Sequence, residues 1–181
     1  MLSKEQFKKI KKEAKLELKR LEKEYANLRH TAESPLPARQ DDWTNEELRE
    51  MARRRLHRRY ASITIECCTI VEHMLHELYQ QSYQQPFNSV QLMKTPAYRS
   101  RSNIEILQAE LKKQHISPVP KQESERPDEA IVQVFQLRNK LMLEHFEFDA
   151  VMKDDHDASR TLEWILDTMK AYRKQLKYRP A

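Results

Sequence analysis

The chain contains no glycine in 181 residues. Glycine is the residue that enters positive φ without steric cost, and tight β-turns depend on it. Its absence argues against a fold built from hairpins and sheets. It also removes every glycine-dependent phosphate cradle, so P-loop and dinucleotide-binding readings fall together. Hydrophobic residues make up 39% of the chain, enough for a single core, and charged residues 34%. The net charge of +5 is compatible with a nucleic-acid partner without requiring one. The expectation is an all-α, up-and-down bundle of about five helices with an N-terminal helical extension.

Helical periodicity organises the chain. Residues 3–30 place Phe7, Ala14, Leu21 and Leu28 at seven-residue intervals. Ile10, Leu18 and Tyr25 widen the stripe, and Lys and Glu fill the other faces. Such a seam packs on another helix, in the same chain or in a second copy. The other reading is a basic arm lying on RNA or a membrane. Two prolines within 33–43 mark a linker, so the expected division is 1–32, an amphipathic helix or dimerisation arm; 33–43, the linker; and 44–181, the main bundle.

Thr44 and Glu47 form a capping box, with Trp43 and Leu48 as a hydrophobic staple, opening a helix to about residue 83. A second box, Ser102 and Glu105, opens a helix to about 115. Pro127, followed by Asp128 and Glu129, suits the first turn of a helix over about 127–149. A last helix is predicted from Asp157 to about Lys177. No apolar run is long enough to span a membrane. The charged N-terminus lacks a signal-peptide pattern. The adjacent Cys67 and Cys68 fit two buried thiols in a reducing compartment, which places the chain in the cytoplasm.

The segment from Val134 to Phe148 holds the most chemistry. Arg138 and His145 are seven residues apart, so on a continuous helix they share a face about 10.5 Å apart along the axis. Both can then lean toward one phosphate, with Asn139 beside them. An imidazole titrates near neutrality and can act as base or acid; a guanidinium pairs with phosphate oxygens. Glu66, on the long helix, is a carboxylate that can reach inward, or an ordinary surface residue. Arg54, Arg55, Arg58 and Arg59 form a one-sided basic face, either solvated or tracking an RNA backbone toward the site. His73, His76 and Glu77 have helical metal spacing, but no HExxH or Glu-x-x-His is present, and no metal or other cofactor is expected. No credible Ser or Cys nucleophile arrangement is visible.

Arg138-Asn139 followed by His145, in a late helix after a long one and a shorter one, resembles the motif of the HEPN superfamily. The resemblance covers about residues 45–177, and it implies that Glu66, a polar residue on the long helix, orients Arg138. It implies a metal-independent endoribonuclease that cleaves RNA by 2′-OH transesterification, working as a homodimer because one chain supplies one such His. Toxin–antitoxin and phage-defence roles, with a protein antitoxin as partner, belong to the same implication. Some HEPN toxins carry a Tyr two residues after the His that a partner enzyme modifies; here that position is Glu147. The competing expectation is a HEPN-like or unrelated helical module that binds protein or nucleic acid without cutting.

Overall fold

The computed structural model describes residues 2–32, 44–145, 147–148 and 155–179. Among them the fold is an all-α bundle. Its long helices are α1 (Lys4–Ala32), α2 (Asn45–Tyr83), α4 (Asn103–Lys113), α5 (Pro127–Leu143) and α6 (Asp155–Gln175). A one-turn helix α3 (Ser89–Leu92) and a 3-10 turn at Pro96–Tyr98 lie between α2 and α4. Trp43, half of the expected staple, and the linker 33–43 fall outside the described residues.

The predicted start signals operate as their chemistry requires. Thr44 Oγ1 accepts from the Glu47 amide at 3.2 Å, and Glu47 returns a carboxylate to the Thr44 amide at 2.8 Å. The Ser102 amide likewise donates to Glu105 at 2.8 Å. These donors stabilise the ionised forms, so both carboxyls sit below their usual range; the Thr44 backbone dominates at Glu47 and the Ser102 hydroxyl at Glu105. Pro127 occupies the first turn of α5, where its missing N–H costs nothing.

The α1 seam is buried inside its own chain. Phe7, Ile10, Ala14, Leu18, Leu21 and Tyr25 all join the core, packed on α2 and α6. Polar contacts fix the register at the edges. The Tyr25 hydroxyl lies 2.6 Å from Ser159 Oγ, and Arg29 meets Glu163 at 2.7 Å. Lys11 Nζ donates to the Leu176 carbonyl at 2.5 Å, at the electronegative end of α6. The exposed ion pairs contribute little, whereas each buried aliphatic side chain contributes about 1.5–3 kcal/mol. The seam is thus occupied and offers no surface to a second copy.

Three features depart from the sequence expectation. First, Ile116–Pro118 (β1) and Leu176–Tyr178 (β2) pair antiparallel, Ile116 opposite Tyr178. The last helix therefore stops at Gln175, and Leu176 remains buried in a strand. Second, α4 stops at Lys113, two residues short of the expected end, because His115 adopts a positive φ before β1. Third, α5 ends at Leu143 rather than near 149, with His145 at φ 52°. Beyond the turn, Phe148 is fully buried against His57 and Tyr60, with ring centroids 6.1 and 6.0 Å away. Burying a phenyl ring is worth about 3 kcal/mol, more than the 1–2 kcal/mol a non-glycine residue spends in the left-handed region, so the turn wins over the helix.

Gln84, which caps α2 at φ 57°, carries the same left-handed cost with a side chain that is exposed. Gln84→Gly is expected to stabilise the fold by about 1 kcal/mol, read as a higher urea midpoint at unchanged slope. Leu21, with no exposure, makes the converse test of the seam. Leu21→Ala is expected to cost about 3 kcal/mol, and the loss should not vary with protein concentration if α1 packs within one chain.

Candidate functional site

The site is built where the last two turns of α5 cross α2. Phe135, Arg138, Asn139, Met142 and Leu143 fall within one arc of α5. Phe135 is buried and Arg138 lies over its ring at 4.7 Å. Arg138 Nη1 donates to Glu72 Oε2 at 2.8 Å, and Nε and Nη2 donate to Asn139 Oδ1 at 3.3 and 3.2 Å. Only 19% of the Arg138 side chain and 29% of the Glu72 side chain are exposed, so water screens this pair only partly. The guanidinium is held as a flat plate between a ring, a carboxylate and an amide.

Asn139 accepts from Arg138 through Oδ1 and is itself exposed. His145 is exposed in the turn that follows α5, not on the helix. The expected geometry of Arg138 and His145 on one continuous helical face is therefore corrected: His145 lies two positions past Leu143, the last helical residue, and its left-handed backbone takes it off that face. Glu147, beyond it, is exposed, and its amide donates to the Glu144 carbonyl at 3.0 Å.

Glu66 does not orient Arg138. Its carboxylate meets Arg20 of α1 at 3.2 Å, and Glu72 takes the expected role. The two differ by six residues, which on a helix is most of two turns and a swing from the α1 side of α2 to the α5 side. The sequence held a signal for Glu72: it follows Val71 at the border of the buried stripe, one turn after Cys68.

The arginine face of α2 divides. Arg54 is drawn back to Glu50 at 2.9 Å, and Arg59 pairs with Glu24 of α1. Arg53 joins Arg54 on Glu50, whose carboxyl is pulled down to about 2 by the Arg53 and Arg54 hydrogen bonds. Arg55 and Arg58 remain exposed. Within the same run His57, which sequence reasoning passed over, is buried and stacks on Tyr60 at 6.1 Å.

Cys67 and Cys68 are fully buried. Burial pushes the Cys68 thiol up to about 12, with the nearby Arg138 charge only partly opposing it, and pushes Cys67 well above its usual value. Neither is an available thiolate. His76 packs on Phe87 at 5.0 Å, and burial lowers its pKa. Among the described residues no three His, Cys, Asp or Glu side chains gather closely enough to hold a metal ion, and no helix is long and apolar enough to cross a membrane. A separate cleft of about 520 Å³ lies between α4, β1 and α5, with Gln108, Asp128 and Tyr172 among its lining residues.

Removing Glu72 leaves Arg138 half-buried without its carboxylate. Glu72→Ala is expected to destabilise the fold by about 1–3 kcal/mol, and the loss should shrink markedly when Arg138 is already Met, as a double-mutant cycle by urea denaturation would show. No protein-family model, curated protein or solved structure matches this chain.

Proposed function

We propose that the protein is a metal-independent endoribonuclease of HEPN type. The observation that supports it is the Arg138 guanidinium, fixed by Glu72 and Asn139 a few residues before a solvent-exposed His145. In this reading a base removes the proton from the 2′-OH, the 2′-oxygen attacks phosphorus, and the 5′-oxygen departs with a proton from an acid. The products are a 2′,3′-cyclic phosphate and a 5′-hydroxyl. Arg138, which has guanidinium N–H groups beyond those spent on Glu72 and Asn139, stabilises the charge that builds on the phosphorane. Its fixed position means little reorganisation is needed when that charge develops.

One His145 per chain serves one proton transfer, so the scheme calls for two copies. Met142 and Leu143 are 51% and 78% exposed beside Arg138 and Asn139, giving the end of α5 an apolar surface suited to a two-fold contact. A cytoplasmic setting, a protein antitoxin and a toxin or phage-defence role are part of the same proposal.

One observation favours the competing reading of a non-catalytic binding module. Arg138 already has a carboxylate, an amide and an aromatic ring as partners. That arrangement also suits a purely structural tie between α2 and α5.

Incubation with total RNA in EDTA separates the two. The wild type is expected to cut and leave 2′,3′-cyclic phosphate ends, and His145→Ala to slow cutting by about 10²-fold or more. A folded dimer that cuts no RNA would favour the module, whereas cutting that survives His145→Ala would overturn the role given to His145.

A further inference from the structure

Helix α1 carries eight lysines and two arginines against five glutamates, an excess equal to the +5 of the whole chain. The rest of the chain sums to zero, so α1 accounts for the net charge. The lysines are also ordered on the helix. Lys8, Lys12, Lys15, Lys19 and Lys23 follow a spacing of four, three, four and four residues, which confines them to less than a quarter of the helix circumference. All five are exposed. From Lys8 to Lys23 the stripe runs about 22 Å at the helical rise.

These charges are not neutralised by neighbours. Among the described residues none of the five has a carboxylate within ion-pair distance, whereas Lys9, Arg20 and Arg29 of the same helix do. One flank of the stripe is reinforced by the end of α6. Lys11 sits against the Lys174 and Leu176 carbonyls, and Lys177 and Arg173 lie close enough to help burial lower its pKa to about 8. A bound polyanion would relieve this crowding of like charges.

We infer that the lysine stripe of α1 is a sequence-independent track for the phosphate backbone of duplex RNA. The inference deepens the ribonuclease proposal by naming the surface that holds substrate. Three observations choose the partner. The apolar side of α1 is buried in the bundle, so the helix cannot insert that side into a lipid surface as an interfacial helix does. Phe7 and Tyr25, the Phe and Tyr residues of α1, are both buried, so between Lys8 and Lys23 the stripe offers no ring on which an unpaired base can stack, and the exposed His30 imidazole lies seven residues beyond it. Lysine supplies point charges rather than the forked donors that read base edges, which suits backbone contact. The arginine face expected from sequence is a poorer track, with Arg54 and Arg59 already paired to glutamates.

The experiment is fluorescence anisotropy with a labelled RNA duplex of about twenty base pairs, titrated across salt concentrations. It is done in the His145→Ala background, so that binding is measured whether or not the protein cuts. The parent is expected to bind with a steep salt dependence. Replacing Lys8, Lys12, Lys15, Lys19 and Lys23 together by Gln, which keeps helix propensity, should weaken binding about tenfold or more and reduce the log–log salt slope by about four. Replacing the same five by Arg should retain binding, and the two variants should melt like the parent. Unchanged affinity and slope in the Gln variant would overturn the inference. So would binding to phosphatidylserine vesicles in place of RNA, tighter binding to a DNA duplex of equal length, or no binding to any of the three. Failure of the ribonuclease reading shows separately, as absence of cutting by the wild type on a short RNA that does not span the stripe.

Discussion

The bundle depends on the burial of one helix. From Tyr60 to Tyr79, α2 buries residues on a stripe too wide for a single partner: Tyr60, Ala61, Ile63, Thr64, Cys67, Cys68, Val71, Met74, Leu75, Leu78 and Tyr79. Helices α1, α4, α5 and α6 all pack on it. Small side chains at Ala61, Thr64, Cys67 and Cys68 let neighbours approach closely, and the Thr64 hydroxyl returns to the Tyr60 carbonyl at 2.9 Å, so it brings no unmet donor into the core. The same burial makes the thiols inert and places Glu72, at the border of the stripe, beneath the guanidinium of α5. Core and candidate site are therefore one construction, with the polar contact at the edge of the apolar one.

What the sequence made legible was what local chemistry decides. Capping boxes at Thr44 and Ser102 and the proline at 127 act within one helical turn, and the structure places helix starts on all three. The seam of α1 is a periodicity that any packed arrangement must respect. The end of α2 at Tyr83 fell where expected, whereas α4 and α5 stop short of the expected residues, and none of the three ends has a glycine to mark it. Gln84, His115 and His145 take positive φ instead, and none of these residue types announces a stop. The short β1–β2 pair, at three residues a strand, is too brief to show alternation.

The site was legible in its residues and not in its geometry. Arg138 and Asn139 do meet, because adjacency alone brings them within reach. The choice between Glu66 and Glu72 depends on which side of α2 faces α5, a tertiary fact that a helical wheel of α2 alone does not contain. The arginines of α2 likewise read as a field of like charge until Glu50 and Glu24 are seen to draw Arg54 and Arg59 back. The lysines of α1 were visible throughout, yet only the placement of the acidic residues distinguishes charges that are spent from charges that are exposed.

The contacts that close α1 onto the end of the chain bear on the order in which the molecule forms. Tyr25 and Glu163 are separated by 138 residues, Lys11 and Leu176 by 165, and the Tyr178 hydroxyl reaches the Leu2 carbonyl across 176. Closing such long loops costs entropy before any contact repays it, and topologies of this kind fold more slowly than those built from local pairs. During synthesis the apolar side of α1 can pair with α2 early, but the part that packs on α6 stays uncovered until nearly all of the described chain has left the ribosome. The long-range closure thus acts as a completeness check: a chain interrupted before α6 keeps part of its first helix unsheltered and does not attain the packed bundle.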